Sequence, residues 1–191
     1  MSKQRIWYEG ARYHVMARSI RSLQLFHYEE DYETFWMILA NTMKRYPFVL
    51  NGYCMMTTHF HLLLGTQMVP IWTIMQKLQQ NYAMYFNRKY GTRGHLFDSR
   101  YTSRVIENDP YFLEVSRYIH LNPVRASIVK FPVDYPYSSY DCYVAGRTDP
   151  ILNTEEILGY FNGDKCAQYR LYVESAVTQK EMSISKDSKT V

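Results

Sequence analysis

The chain has 191 residues, 47% of them hydrophobic and 21% charged, with a formal charge of +4 and a pI near 8.8. That suits one soluble domain with a sizeable core, and a charge that permits nucleic-acid binding without requiring it. Three scattered cysteines exclude a disulfide framework or a thiolate zinc site, and no apolar run approaches the roughly 18 residues of a membrane span.

The N-terminus lacks the apolar stretch of a signal peptide, and the unpaired cysteines suit a reducing compartment, so a cytoplasmic protein is expected. Aromatic residues reach 16%, with 19 tyrosines, which supply either a packed core or a base-stacking surface.

In chain order, Arg12 to Ile20 alternates apolar and polar residues as a strand does. Glu29 to Arg45 places Tyr32, Phe35, Trp36, Leu39 and Met43 at helical spacing, and Pro47 ends the helix. Phe48 to Met56 and His59 to Thr66 are two β-prone runs joined by Thr57-Thr58, which predicts a hairpin. Pro70 opens a helix with Ile71, Ile74, Leu78, Tyr82 and Tyr85 on its buried stripe, broken by Gly91 and Gly94. Leu96 to Ile106 reads as a strand with Arg100 and Arg104 on one face. Asn108-Asp109 then caps a helix that carries Pro110 in its first turn and runs through Tyr118.

The order β-α-β-β-α-β predicts an α+β, ferredoxin-like antiparallel sheet with its helices on one face. The main domain is expected over residues 1–130, a helical extension packed on it over 131–176, and a disordered tail over 177–191.

Two clusters carry candidate chemistry. His59 and His61 are two apart on a strand, so their side chains share a face with backbones roughly 6.6 Å apart. Such a pair either grips a cation or consists of satisfied core histidines. Tyr118 and Asn122 are four apart and share a helix face. Asn122 precedes Pro123, however, and spacing by itself favours a helix cap over a ligand. His120 falls about 200° round the helix from Tyr118 and is the weaker candidate. Transfer of a phosphoryl group to a phenol needs an activated phosphate, and a sparsely ligated divalent cation leaves positions open for phosphate oxygens. Arg18, Arg100, Arg104 and Arg125 are the candidate phosphate contacts, each alternatively a solvated surface charge.

His59-Phe60-His61, GHLFDSRY from Gly94 to Tyr101, and RYIHLNPVRASIV from Arg117 to Val129 together resemble the HUH single-tyrosine transposases. Within these the chain is most similar to the REP-associated tyrosine transposases, over nearly all of residues 5–145. The resemblance implies Tyr118 as the nucleophile, forming a 5′-phosphotyrosine link and freeing a 3′-hydroxyl. It implies His59, His61 and Asn122 as ligands of Mg²⁺ or Mn²⁺, and single-stranded or hairpin DNA as the substrate. A homodimer is left open, because relatives differ in whether the tyrosine helix serves its own active site or a partner's. Two departures touch turn geometry: Arg18-Ser19-Ile20 stands where many relatives have Arg-Gly-Asn, and Ser127 where a glycine is common. His14 is read as structural or substrate-adjacent. The principal alternative is a domesticated DNA-binding protein that no longer cuts. A replication initiator or relaxase, and an RNA-binding module with aromatics on its sheet face, fit the residues less well.

Overall fold

The computed structural model describes residues 6–187, with side chains described as far as residue 176. Its sheet consists of β1 (Arg12–Arg18), β2 (Phe48–Met56), β3 (His59–Thr66) and β4 (Thr102–Ile106), in the antiparallel order β2-β3-β1-β4. The crossover helices are α1 (Glu29–Arg45) and α2 (Ile71–Tyr90). A third helix, α3 (Asp109–Arg125), follows the last strand. This is the expected ferredoxin-like sheet.

Alternation along the strands sorts the core into two layers. Val15, Ala17, Phe60, Leu62 and Leu64 pack with Phe35 and Leu39 of α1 and Ile74, Leu78 and Tyr82 of α2. Cys54, Met56 and Leu63 point the other way and pack with Phe112, Val115 and Ile119 of α3. The two crossover helices thus share one face, as expected, while α3 covers the opposite one and encloses the histidines. Each fully buried Phe or Leu contributes roughly 1.5–3 kcal/mol, so the layer between α3 and the sheet holds the two in a fixed relation.

Local signals set the helix ends. Asp31 at the third position of α1 accepts the backbone N–H of Tyr28 at 3.0 Å, half of a capping box. Asn108 Oδ1 accepts the Tyr111 N–H at 2.9 Å at the start of α3. Gly91 closes α2 in the left-handed region at φ +63. Pro70 is the residue that caps α2 from outside, with extended backbone, so it stands one position earlier than a first-turn proline.

Three expectations need correction. The strand expected from Leu96 begins only at Thr102. Leu96–Asp98 do run beside the end of β1, through Ile20 N–H to Leu96 O and Asp98 N–H to Arg18 O, but Ser99–Tyr101 leave the ladder before β4 pairs with Arg12–Met16. Arg100 therefore shares no strand face with Arg104. Likewise, Asn122-Pro123 does not start a new turn: α3 runs through Pro123 to Arg125. Finally, the tail expected to be disordered from 177 is helical to Asp187, in a stretch free of Gly and Pro. Residues 188–191 lie outside the described residues.

Beyond α3 lie α4 (Tyr140–Val144), α5 (Glu155–Leu158) and α6 (Lys165–Asp187). The segment leading to them covers the free edge of β2, with Met55 N–H to Tyr137 O, Ser139 N–H to Tyr53 O and Asn153 N–H to Leu50 O. Covering an edge strand in this way blocks pairing with another chain. Among the described residues no helix is long and apolar enough to cross a membrane, and all three cysteines are free.

Candidate active site

The α3-facing side of the sheet collects the polar residues that the opposite layer excludes. On β3 the alternation that buries Phe60 and Leu62 under α1 and α2 turns His59 and His61 towards α3. On β1 the same alternation brings His14, Met16 and Arg18 to this face. The register sets Arg18 opposite His59, Met16 opposite His61, and His14 opposite Leu63 on one side and Arg104 of β4 on the other. From above, α3 presents Tyr111, Glu114, Val115 and Tyr118, spaced at one helix stripe. Together these residues line a cleft of about 530 Å³ with His14, His61, Thr102, Ser103 and Arg104.

Tyr118 meets both inner histidines edge-on. Its ring centroid lies 5.7 Å from that of His61 and 5.6 Å from that of His14. Tyr118 keeps 37% of its surface exposed. The Arg125 guanidinium lies 4.9 Å from the Tyr118 ring centroid, a cation–π contact that steadies the ring. Among the histidines, His14 Nε2 is 3.0 Å from His61 Nδ1, and His59 Nδ1 is 3.2 Å from Thr58 Oγ1.

Electrostatics keep these imidazoles neutral at pH 7. Burial, then the nearby His14, His59 and Arg18 charges, push the His61 pKa down to about 2. Burial and Arg104 lower His14 to about 4, and burial and Arg18 also lower His59. A neutral imidazole carries the lone pair that a metal ion needs.

Among the described residues no three His, Cys, Asp or Glu side chains are grouped to hold a metal. Of the donors that the sequence suggested, His59 and His61 lie together, with ring centroids 5.1 Å apart, and His61 lines the cleft whereas His59 and Asn122 do not. His59 and His61 each engage a neighbour through Nδ1, and among the described residues neither makes a hydrogen bond through Nε2. Asn122 donates its amide nitrogen to Tyr118 O at 2.8 Å, and among the described residues its Oδ1 accepts no hydrogen bond. By their chemistry, imidazole nitrogens and an amide oxygen are borderline and hard donors of a kind that Mg²⁺ or Mn²⁺ accepts.

Of the four arginines singled out, Arg104 lines the cleft, Arg18 flanks His59 across the β1–β3 ladder, and Arg125 lies against Tyr118. Arg100 instead sits in the exposed loop before β4, outside the cleft lining. His120 points away from Tyr118, as its helical angle indicates. It is buried, with Nδ1 2.7 Å from Tyr169 Oη and Nε2 2.8 Å from Ser139 Oγ, and so ties α3 to the C-terminal segment. Periodicity did not place His14 or Glu114 in the cleft. The shared parity of His14, Met16 and Arg18 was visible, but the pairing of β1 with β3 that makes it matter was not.

A family model described as IS200-like transposase matches residues 8–122, a span that contains His14, His59, His61, Tyr118 and Asn122. No curated protein matches the chain. Among solved structures, that of a REP-associated tyrosine transposase bound to a REP hairpin superposes with a TM-score of 0.66 at 21% identity, covering 79% of this chain and 90% of that one. A proposed transposase from Deinococcus radiodurans R1 gives a TM-score of 0.44 at 19% identity, covering 67% of this chain and 92% of that one.

Proposed function

The chain belongs to the IS200-like transposase family, and on that premise we propose that it nicks and rejoins single-stranded DNA at hairpin, REP-like sites through a covalent bond to Tyr118. The observation that carries this reading is the meeting of an exposed phenol with His61 and His14 across one cleft. In the reaction the Tyr118 oxygen attacks the scissile phosphorus, the bond from phosphorus to the 3′ oxygen breaks, and the phenolic proton is lost. The departing 3′ oxygen takes up a proton, leaving a 5′-phosphotyrosine and a free 3′-hydroxyl. Reversal by another 3′-hydroxyl rejoins strands without an external energy source.

His59, His61 and Asn122 are the residues that would hold a divalent cation, which supplies charge to polarise the scissile phosphate. Arg125 restrains the Tyr118 ring, and Arg104 and Arg18 offer guanidinium groups to flanking phosphates. Tyr118 adjoins the histidines of its own chain, so the reading needs no second copy to complete the site. The solved relative binds a REP hairpin, and hairpin DNA is accordingly the substrate class assigned here. The free thiols suit a cytoplasmic setting.

The test is nicking of labelled hairpin oligonucleotides, drawn from DNA flanking the gene, with and without Mn²⁺. Nicking that requires Mn²⁺ supports the assignment. Tight binding with no nicking at any metal concentration would make the protein a DNA binder that has lost cleavage.

A further inference from the structure

His14 lines the cleft beside His61, and the two rings meet edge to edge, with centroids 5.2 Å apart and planes 25° from parallel. Its Nε2 lies 3.0 Å from His61 Nδ1. Between two neutral imidazoles such a contact holds one proton, which sits on one ring or the other. On His61 Nδ1, that proton leaves a lone pair on His61 Nε2. On His14 Nε2, it forces the His61 proton onto Nε2, where no lone pair then remains for a cation. The sense of one hydrogen bond therefore decides whether His61 can act as a ligand.

We infer that His14 is a positioning residue: its Nε2 accepts the His61 Nδ1–H and fixes His61 in the tautomer that leaves Nε2 bare for a divalent cation. The inference rests on the reading of His59 and His61 as cation ligands, and extends it to a residue outside the ligand set. Two further features of the fold support it. His59 is engaged in the same way, through Nδ1 to the Thr58 hydroxyl, which can equally accept. And His14 stands on β1, a central strand bonded to β3 on one side and β4 on the other, so its ring is carried by fixed backbone. A ligand histidine oriented through its second nitrogen is a general device of metal sites, and its loss weakens metal binding by about 10–100-fold.

The experiment uses the full chain labelled with ¹⁵N-histidine, at neutral pH, with two readouts. The first is the His61 tautomer by NMR without metal. The second is Mn²⁺ affinity by electron paramagnetic resonance in wild type, His14→Leu and His14→Gln. The glutamine amide oxygen can accept from His61 Nδ1–H, whereas leucine cannot. The expected result is Nδ1–H at His61 in wild type, Mn²⁺ affinity lowered on the order of 10–100-fold in His14→Leu, and recovery to within a few-fold in His14→Gln. An Nε2–H tautomer in wild type, wild-type affinity in the leucine variant, or glutamine no better than leucine would each overturn the inference. Should His14→Leu fail to fold, the wild-type tautomer and the glutamine variant decide the matter. Wild-type protein that binds no Mn²⁺ overturns the ligation reading itself, and differs from the other outcomes because in those the wild type binds.

Discussion

The Tyr118 ring stands almost perpendicular to the His61 imidazole, with centroids 5.7 Å apart and planes at 86°. One ring comes from α3 and the other from β3, and the apolar layer of Leu63, Cys54, Phe112 and Ile119 holds the two elements together. Placement of the phenol is thus a consequence of core packing, and substitutions in the cleft can be separated from substitutions that unsettle the core.

Arg104 exemplifies the first kind. It lines the cleft and donates to Tyr111 Oη at 3.4 Å. Arg104→Ala is expected to weaken binding to all single-stranded oligonucleotides alike and to reduce the slope of log affinity against log salt by about one. Fluorescence anisotropy over a salt series measures this. An unchanged slope would remove Arg104 from the phosphate contacts.

Asp31 exemplifies the second. Its buried carboxylate accepts from the His27 and Tyr28 backbone N–H groups, Tyr85 and Tyr90 hydroxyls, and Lys89 Nζ. Burial acts to raise its pKa, but Lys89, Tyr90 and the other donors outweigh it and hold the carboxyl well below the usual range. Asp31→Asn sets an amide N–H against these donors and leaves Lys89 without its buried partner. A loss of about 3 kcal/mol is expected in urea unfolding.

Ser127 occupies the left-handed region at φ +57, directly after α3. A side chain there is strained, and glycine is not. Ser127→Gly is expected to raise stability by about 0.5–1 kcal/mol, because relief of strain exceeds the added freedom of the unfolded chain. Thermal unfolding with an unchanged or lower midpoint would contradict this.

Acid should destabilise the fold through His120. Burial lowers its pKa to about 3, whereas the unfolded residue titrates near 6.5. Between those values the unfolded chain binds one more proton, so stability falls as pH drops, by up to about 1.4 kcal/mol per unit from this group. Asp31, with its depressed pKa, adds a loss of the same sign below roughly pH 4. Urea midpoints at pH 7 and pH 5 should differ in wild type. In His120→Ala stability at pH 7 should be lower and the difference between the two pH values smaller.

Much of this architecture was readable from residue order. The bounds of α1, β2 and β3 follow from periodicity and from Pro47 and the Thr57-Thr58 turn. Pairing between distant segments was not readable. The stretch from Leu96 to Ile106 looks strand-like because Leu96, Phe97, Tyr101, Val105 and Ile106 recur along it, yet Ser99–Tyr101 break the ladder. Pro123 suggested a helix boundary, but packing of Ile119, Leu121 and Pro123 itself holds α3 intact through it. His14 and His61 are 47 residues apart, and only the β1–β3 register brings them together. The same is true of the C-terminal segment, whose backbone bonds to β2 have no local signature.

The most direct test of the account is detection of the covalent intermediate. Protein, Mn²⁺ and a hairpin oligonucleotide are mixed and resolved by denaturing electrophoresis, and the adduct is mapped by mass spectrometry in wild type, Tyr118→Phe and His61→Ala. The account predicts an adduct on Tyr118 in wild type and none in either variant, with Tyr118→Phe still binding the hairpin. An adduct that survives Tyr118→Phe, or that forms in His61→Ala at the wild-type rate, would contradict it.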